Sequence, residues 1–589
     1  MDRPLPGRGG PGYRLAPPMS DTDPSATSTG PQDHREVEWQ FDAVDLRPVQ
    51  RWLSDRGAEA RPSVGPGPVR EHVDIYWDTE DWRLYGAGWS LRTREAGVGI
   101  EATMKSLSDR AGSETDRRDR RELSATVSDD GPDGLLKAPE PLGDRIRALA
   151  GTRGLRRLFE VRTRRRVFPV TVDGRQVAEL ALDDTAIPVP PDDRPVRLQR
   201  VEVEMTGEGG SDLSRFVHEL RSACGLTPAA GPKFETGLLV TGMGPPPPPD
   251  LGPTEIDEGK SVGEVAFAVL RSQFAAFLAA EPGSRLGEDP EEIHDMRVAI
   301  RRMRAAIRLF GDALPVRAQS LSRELKWVAG SLGAVRDLDV QLERFAEWSG
   351  QLSPEDREAL RRVVDVLRTS RAAARRRLLR TLDSKRYERL ISAMAGMLQR
   401  GPLRRSPRSR TPAVMAGSDI VRRAHRKMRR AGDSITEQSS PADLHRLRIR
   451  GKRARYAVES LEPVYGKPAR RLIQRLKAMQ DVLGLYQDAQ VAMRHLRELV
   501  RERGVSLEPQ ALFVLGLLAQ RYGAQAEEQR SLLASAYRRA RGKAWRRLRG
   551  AMDERRSEAE GRLQRRPPPP PDRTAGAAEQ ATDASAVPA

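Results

Sequence analysis

Residues 289–310 read DPEEIHDMRVAIRRMRAAIRLF, and residues 440–461 read SPADLHRLRIRGKRARYAVESL. The two stretches align without a gap at an offset of 151 residues, and the same offset aligns LKWVAGSLGAVRDLDV at 325–340 with LKAMQDVLGLYQDAQV at 476–491. One offset shared by two separated segments indicates an internal duplication. Because the surrounding sequence is rich in Ala, Leu, Arg and Glu with helical periodicity, we predict two similar helical bundles of about 150 residues each.

Basic residues follow one face of the predicted helix in each copy. At about 100° per residue they fall within an arc of about 80°, and apolar residues occupy the opposite side. Like charges stacked on one helix face repel each other, so each basic stripe needs counter-charge from an anion or from carboxylates. The stripes consist of His294, Arg297, Arg301, Arg304 and Arg308 in the first copy and His445, Arg448, Lys452 and Arg455 in the second, flanked by Arg302 and Arg453.

The basic stripes also allow two purely structural interpretations. Asp337 and Asp488 could neutralise them as structural salt bridges, or the basic face could be ordinary solvated surface. A histidine near a helix start is also more often a cap or a hydrogen-bonded core residue than a catalyst. We favour a phosphate-binding groove because the same His and Arg pattern occurs twice at matched positions.

Net charge supports an anionic partner for this half of the chain. The protein has 589 residues and a net charge of +18, but residues 34–243 carry −4, whereas residues 244–566 carry 65 basic and 40 acidic side chains, or +25. Such a surplus predicts binding to nucleic acid, an anionic membrane or polyphosphate. Aromatic residues make up only 5% of the chain, which leaves few to stack on nucleic-acid bases.

Composition also marks the domain boundaries. The length predicts two or three domains, and the proline-rich segment GPPPPPDLGPT predicts a stiff linker. The ends are rich in Gly, Pro, Ser and Asp, which is typical of disorder. The expected order is a disordered tail at 1–33, a folded block at 34–243, the linker at 244–254, a helical block at 255–565 with repeats at about 255–405 and 406–565, and a disordered tail at 566–589.

The compartment follows from what the sequence lacks. A single cysteine, Cys224, excludes an intramolecular disulfide framework and a metal site built on two or four cysteines. No run approaches the ~18 apolar residues of a membrane span, and the first residues contain no apolar signal-peptide core. We therefore expect a cytoplasmic protein without a membrane span.

The first block has the period-two alternation of β-strands. Asp173-Gly174 between two such runs predicts a hairpin turn, and helices are expected after Asp45 and at about 211–223. The pattern predicts an antiparallel barrel or another α+β fold. The predicted strands are 35–41, 71–79, 89–95, 100–107, 160–172, 176–184 and 198–205.

Several of these strands carry charge on one face, as at Glu36 and Glu38. A charged strand face is usually solvated surface. If the charged faces instead converge inside a closed sheet, the acids can hold Mg²⁺ or Mn²⁺ and the bases can bind phosphate oxygens. Such a lumen would be suited to phosphoryl transfer.

The first block resembles the CYTH family of triphosphate tunnel proteins, which includes inorganic triphosphatases, thiamine triphosphatases and some adenylate cyclases. The matching motifs, in order, are EVE at 36–38, YWDTEDWRLYGAGWSLRTRE at 76–95, TMK at 103–105, VAELALDD at 177–184, VEVEM at 201–205 and GPKFETGL at 231–238. The resemblance implies an eight-stranded antiparallel tunnel. It also implies catalytic roles for Glu36, Glu38 and Lys105, binding of Mg²⁺ or Mn²⁺ by Glu36, Glu38, Glu202 and Glu204, and binding of a triphosphate by Arg92, Arg94, Lys105, Arg162, Arg164 and Lys233.

One residue departs from this family's pattern. The opening motif of the family is Glu-x-Glu-x-Lys, and position 40 here is Gln. An amide can hydrogen-bond a phosphate oxygen but supplies no charge, so we expect triphosphatase activity to be weak, altered or absent.

The second block resembles the CHAD domain, a helical domain named for its histidines. The matches are HDMRVAIRRMRAAIRLF, LGAVRDLDV, LHRLRIRGKRARYAVE and LGLYQDAQV. The resemblance implies that inorganic polyphosphate binds in a basic groove between the two bundles. Gln487 stands where the first copy has Arg336, so the two ends of the groove need not be equivalent. The implied ligands are His294, Arg297, Arg301, Arg302, Arg304, Lys326, Arg336, His445, Arg448, Lys452, Arg453, Arg455 and Lys477.

The sequence thus predicts an α+β multidomain protein that binds inorganic polyphosphate and has a triphosphatase-like tunnel for a small triphosphate substrate. Its place would be the cytoplasm, where it could associate with polyphosphate granules. A non-enzymatic nucleic-acid binder and a nucleotide-cyclase-like tunnel enzyme remain as alternatives. Nucleic acid is the less favoured partner, because no base-reading motif is found. The oligomeric state is left open.

Overall fold

A computed structural model gives the fold of most of the chain. The chain divides after Gly244 into two compact units. A strand begins at Gln32, and the rest of the two expected tails lies outside the described residues. The structure describes residues 32–56, 60–96, 99–107, 117–191, 194–207, 210–503 and 507–564.

The described part of the first unit contains a closed antiparallel barrel of eight strands, which confirms the predicted fold. In spatial order the strands of the barrel are β1, β6, β5, β4, β3, β7, β8 and β9, and β9 pairs back onto β1. The strands are β1 (Gln32–Ala43), β2 (Ser63–Val64), β3 (Val69–Thr79), β4 (Trp89–Ala96), β5 (Gly99–Ser106), β6 (Arg117–Val127), β7 (Leu155–Val172), β8 (Arg175–Val189), β9 (Arg194–Met205) and β10 (Thr227–Pro228).

Strand register decides which side chains face the lumen. Glu38 lies opposite Glu204, whereas Trp39 lies opposite Val203, so alternate residues of β1 and β9 point inward and outward. The outward residues are apolar and buried against the helices on the barrel surface. The helices of this unit are α1 (Arg47–Ser54), α2 (Arg83–Gly86), α3 (Pro132–Leu136), α4 (Leu142–Ala150), α5 (Gly210–Cys224) and α6 (Lys233–Thr241).

Helix α6 fills one end of the barrel. Its Phe234 packs against Tyr76, with ring centroids 5.2 Å apart, in a buried apolar cluster that includes the inward-facing Val161. Gly237 allows this approach, because a Cβ there would lie 2.1 Å from the ring of Phe159. The polar part of the lumen therefore ends at this apolar helix.

The described part of the second unit is helical, as predicted. Helices α9 and α15 carry the two basic stripes. The helices are α7 (Val262–Ala279), α8 (Glu281–Leu286), α9 (Pro290–Leu309), α10 (Arg317–Ser349), α11 (Pro354–Leu382), α12 (Lys385–Arg400), α13 (Pro407–Arg410), α14 (Ala413–Asp433), α15 (Pro441–Glu459), α16 (Glu462–Tyr465), α17 (Lys467–Arg503), α18 (Pro509–Arg541) and α19 (Lys543–Gln564), with a short 3₁₀ helix at Gly311–Ala313.

The duplication is visible as a pseudo-twofold relation between the copies. The Val262 N–H donates to the Thr411 carbonyl at 2.8 Å, and the Ala413 N–H donates to the Lys260 carbonyl at 2.9 Å. Both donors and both acceptors are 151 residues apart, so this pair of hydrogen bonds is reciprocal. The stripe helices α9 and α15, related by the same offset, pack on each other.

One described helix could by length and composition alone span a membrane, although no membrane span is expected from the sequence. Helix α7 is long and apolar enough to do so. However, Phe267, Leu270, Phe274 and Phe277 on it are buried in the core of the helical unit. Core helices of globular proteins meet the same criterion, so the helix is weak support for a membrane span.

Candidate functional site

The barrel brings the four predicted metal-binding acids together. Glu36 and Glu38 on β1 and Glu202 and Glu204 on β9 share inward positions, and all but Glu204 are less than a tenth exposed. The strands place Glu38 opposite Glu204 and Gln40 opposite Glu202. One side of the lumen is therefore lined by carboxylates.

Cations hold these acids in buried ion pairs. Lys105 Nζ lies 2.7 Å from a Glu36 oxygen and 2.6 Å from a Glu122 oxygen. Arg120 pairs with Glu38. The sequence does not reveal Arg120 and Glu122 as lumen residues, because strand β6 carries charge on both faces and shows no alternation. Their inward positions follow from the pairing of β6 with β1, in which Glu36 lies opposite Arg120.

The acidic side is short of positive charge. The pKa of Glu36 is raised to about 8. Burial is the main cause, Lys105 opposes it, and the neighbouring Glu38 and Glu122 act in the same direction as burial. Burial and the nearby Glu38 also raise the pKa of Glu204. Burial alone would raise the pKa of Glu122, but Lys105 and Arg92 lower it to about 2. Lys105 thus bridges two carboxyl groups whose pKa values are shifted in opposite directions, Glu36 upward and Glu122 downward.

The predicted phosphate-binding residues Arg92 and Arg94 lie on β4 and face the lumen. Both contact Asp74, with Arg92 Nη1 at 3.3 Å and Arg94 Nε at 2.6 Å. Burial alone would raise the pKa of Asp74, but the two guanidinium groups lower it below its usual range. Asp74 was not predicted as a lumen residue. Its carboxylate contacts the two guanidinium groups that a phosphate would otherwise bind.

The structure does not bring Arg162 and Arg164 into the lumen. Arg162 pairs with Glu160 on the outer face, and Arg164 is exposed. Arg165 faces inward instead and contacts Asp183 and Glu202. The expected orientation of β7 was therefore reversed. Arginine occupies both faces of this strand, so charge could not reveal which face points inward.

The remaining predicted phosphate ligand, Lys233, does reach the lumen from the first turn of α6. Its Nζ lies 3.0 Å from Glu202 Oε1 and also contacts Asp183. The basic side chains described above, from Lys105 to Lys233, are therefore each matched to an acid in this state. A bound phosphate would have to displace these carboxylates.

The lumen fits a hard divalent cation by the chemistry of its donors. In the described residues no three carboxylate, imidazole or thiol side chains are close enough together to hold one ion as the ion pairs stand. Yet the crowded acids need positive charge, and Gln40 Oε1 is buried with no described hydrogen-bond partner. Carboxylate and amide oxygens are ligands of Mg²⁺ and Mn²⁺. Glu36, Glu38, Glu202 and Glu204, with Gln40 beside them, are the residues that fit such an ion.

In the helical unit, the two stripes meet in what we call the central cluster: Arg297 and Arg301 from α9, and Arg448 and Lys452 from α15. Arg301 Nε donates to the Tyr456 hydroxyl of the other copy at 2.8 Å. Buried nitrogens of Arg297 and Arg448 have no hydrogen-bond partner among the described residues. The structure thus brings the predicted ligands of both copies together.

The two aspartates considered as structural counter-charge both act on the central cluster, Asp337 on Arg297 and Asp488 on Arg448 and Lys452. Asp337 approaches Arg297 only to 3.7 Å. The pKa of Lys452 is lowered to about 7. Burial is the main cause, Arg448 and Arg301 act in the same direction, and Asp488 opposes them. Because burial comes first among the causes and the neighbouring arginines second, an added anion would favour the charged form of Lys452.

The other predicted ligands lie in several different environments. The histidines are not helix caps, because Asp289 and Ser440 cap α9 and α15. Burial, reinforced by Arg336, lowers the pKa of His294. Three of the rest form side-chain contacts: Arg336 with Glu291 at 3.0 Å, His445 Nδ1 with Gln487 at 3.0 Å, and Arg455 with Glu459 at 3.1 Å. Arg302 and Lys477 line one cavity, and Lys326 is exposed on α10. Arg304 and Arg453 each have a buried Nε without a hydrogen-bond partner among the described residues.

Two family models match the chain, the CYTH domain over residues 64–230 and the CHAD domain over residues 268–497. The first match begins after β1, so the placement of Glu36 and Glu38 rests on strand register. Two uncharacterised proteins from different strains of Mycobacterium tuberculosis are each 26% identical over 530 residues, which cover 86% of this chain and 97% of theirs.

Among solved structures, the CHAD domain of the plant Ricinus communis is 26% identical with a TM-score of 0.42, covering 50% of this chain and 96% of that one. A putative adenylyl cyclase from Hippeastrum, described as having a dominant triphosphatase activity, is 17% identical with a TM-score of 0.27, covering 36% of this chain and 98% of that one. Together with the closed barrel and the duplicated helices, the two family matches establish that the chain carries a CYTH tunnel domain followed by a CHAD domain.

Proposed function

We propose that the CHAD domain binds inorganic polyphosphate at the central cluster. The observation that carries the proposal is the meeting of Arg297, Arg301, Arg448 and Lys452 with too few acids to neutralise them. Buried guanidinium nitrogens without partners are costly unless a ligand supplies acceptors. A polyphosphate chain supplies an oxygen-rich unit of negative charge at every step and can follow a groove because it is flexible.

Nucleic acid fits the same site less well. Sequence-tolerant binding of single strands uses aromatic rings on which bases stack. The aromatic ring described beside the central cluster is that of Tyr456, which is buried and whose hydroxyl accepts from Arg301. Both ligands would show a steep salt dependence, so only direct competition separates them.

The test is binding of long-chain polyphosphate to the full chain at fixed salt, with duplex and single-stranded nucleic acid added at matched charge. We expect polyphosphate to resist displacement, and displacement by nucleic acid would contradict the proposal. The double variant R297Q/R448Q should lose at least about tenfold in affinity, since each charged hydrogen bond contributes ~1.5–3 kcal/mol. The matched control R376Q/R377Q removes two exposed arginines of α11 and should bind like the parent chain.

We propose further that the tunnel binds a triphosphate and acts on it with a divalent metal held by Glu36, Glu38, Glu202 and Glu204. When bound, such an ion would polarise a phosphoryl oxygen or activate water. Arg92 and Arg94 would release Asp74 and bind phosphate oxygens. Lys105, on the neighbouring strand, would release its own carboxylate partners and bind phosphate oxygens as well. Because the pKa of Glu36 is raised, a cation would compete with a proton for this carboxylate.

Gln40 limits the expected rate of this reaction. The family lysine would add a cation to the inward face of β1, and the neutral amide does not. We therefore expect slow release of phosphate from tripolyphosphate, ATP and long polyphosphate by the full chain, dependent on Mg²⁺ or Mn²⁺ and absent in E38Q. Fast release would contradict the role given to Gln40. Formation of a cyclic nucleotide and pyrophosphate from ATP would favour the cyclase alternative.

A further inference from the structure

Two cavities flank the contact between α9 and α15, and the pseudo-twofold relation exchanges them. One lies between α7, α9 and α15 and has a volume of about 730 Å³. The other lies between α9, α14 and α15 and has a volume of about 170 Å³. Arg302 lines the larger cavity, and Arg453, 151 residues later, lines the smaller one. The two cavities are therefore the same place in the two copies.

Their linings have diverged in charge. At one matched pair of positions the larger cavity has Glu459 and the smaller has Arg308, and at another the larger has Ser272 and the smaller has Arg423. The acids of the larger cavity are used internally, as in the pair of Glu459 with Arg455. The lining of the smaller cavity contains no acid, and its cations are Arg308, Arg423, Lys427, Arg450 and Arg453.

These five cations have no counter-charge in the part of the chain that the structure describes. No ion pair joins any of them to a described carboxylate, and Arg453 Nε is buried without a hydrogen-bond partner. Repulsion from Arg308 and Arg450 adds to burial in lowering the pKa of Arg453. Arg308, Arg423 and Lys427 are exposed, whereas Arg450 and Arg453 are half-buried, so water solvates part of this charge and the remaining mutual repulsion favours the binding of an anion.

The size of the cavity restricts that anion. Pockets for ordinary organic ligands begin at about 300 Å³, well above the 170 Å³ here. The apolar walls, such as Ile420 and Leu309, offer no flat aromatic surface beyond Tyr456 for a base. A compact anion with several oxygen acceptors fits both the volume and the charge.

We propose that this smaller, basic cavity is a second anion site that binds one or two phosphate units, and that its counterpart in the other copy does not. The inference deepens the proposed function and rests on it, because it gives the polyphosphate-binding domain a separate subsite on one side only. The phosphate could be a free pyrophosphate or a unit of a bound chain.

The test is arginine-selective labelling of the full chain with phenylglyoxal, read residue by residue by mass spectrometry. Pyrophosphate and long-chain polyphosphate are added separately, with potassium chloride at matched ionic strength as the control. We expect Arg308 and Arg423 to be protected and Arg302 and Arg470 of the larger cavity to stay reactive. Protection by pyrophosphate identifies a free-anion site, and protection by the long chain alone identifies a subsite for the chain.

Two variants complete the test. R308E gives the basic cavity the charge of its counterpart and should raise the pyrophosphate or polyphosphate concentration that protects Arg423 by about tenfold or more. R376E reverses an exposed charge on α11 and should leave it unchanged. Equal labelling of Arg423 with and without phosphate, or unchanged protection in R308E, would overturn the inference. Protection of Arg301 by long polyphosphate in the same digests reports separately on the proposed function.

Discussion

We expect the proposed binding of polyphosphate to depend on pH through Lys452. In the free protein burial, Arg448 and Arg301 lower its pKa from the ordinary 10.5 to about 7. A bound polyanion stabilises the charged ammonium and moves its pKa back up. The affinity contributed by this charge is therefore complete below pH 7 and is lost as pH rises above 7.

The size of the effect follows from proton linkage. If the pKa in the complex returns most of the way to 10.5, affinity for polyphosphate should fall by about 10- to 50-fold between pH 7 and pH 9. His294 adds little over this interval, because burial lowers its pKa below the ordinary value.

The assay is the affinity of the full chain for long-chain polyphosphate at pH 7, 8 and 9 and constant ionic strength. Long chains are used because only their end groups titrate near neutral pH. K452R keeps its charge throughout and should bind tightly with little change across the interval, whereas K452Q should bind weakly at every pH. Thermal unfolding of each variant checks that the fold is retained. A parent chain whose affinity is flat from pH 7 to pH 9 would refute this account of the central cluster.

Three other outcomes are expected. Q40K should speed metal-dependent tripolyphosphate hydrolysis by about tenfold or more, since a fixed cation would face the developing charge, and an unchanged rate of phosphate release would show that the lumen is impaired elsewhere. Metal affinity measured by calorimetry should rise with pH up to about pH 8, near the pKa of Glu36. E36Q should abolish that dependence. A metal affinity of the parent chain that does not change with pH would count against Glu36 as a ligand. G237A should lower stability by about 1–3 kcal/mol, because its methyl group would meet the Phe159 ring, and an unchanged melting temperature would show that α6 does not pack so tightly.

The helical half could be predicted closely, because helical periodicity is visible within short stretches of sequence and the same motifs occur twice. The offset of 151 residues found in two motifs also relates Val262 to Ala413, the first residues of α7 and α14. Helical periodicity placed the stripe residues on one face, and the structure adds that the two faces meet. The divergence at Arg308 and Glu459 was present in the alignment, but its meaning depends on the cavities around it.

The barrel was harder, because its site depends on pairing between distant strands. Strand β6, which begins RRDRRE, carries charge on both faces and gave no alternation to detect. Likewise, Arg162 and Arg165 are indistinguishable by charge, and only the register that sets Arg165 opposite Asp183 decides which one faces inward. Asp74, eighteen residues before Arg92, could be assigned as its partner only once β3 and β4 were paired.

The reciprocal backbone pair at Val262 and Ala413 has a consequence for the orientation of a bound polymer. Inorganic polyphosphate has no direction, since its chain reads identically from both ends, whereas a nucleic-acid strand has a 5′ and a 3′ end. A receptor with a local dyad can contact such a chain in the same sense from both of its copies. A directional strand would meet one copy with the correct polarity and the other reversed, so the dyad itself discriminates against it.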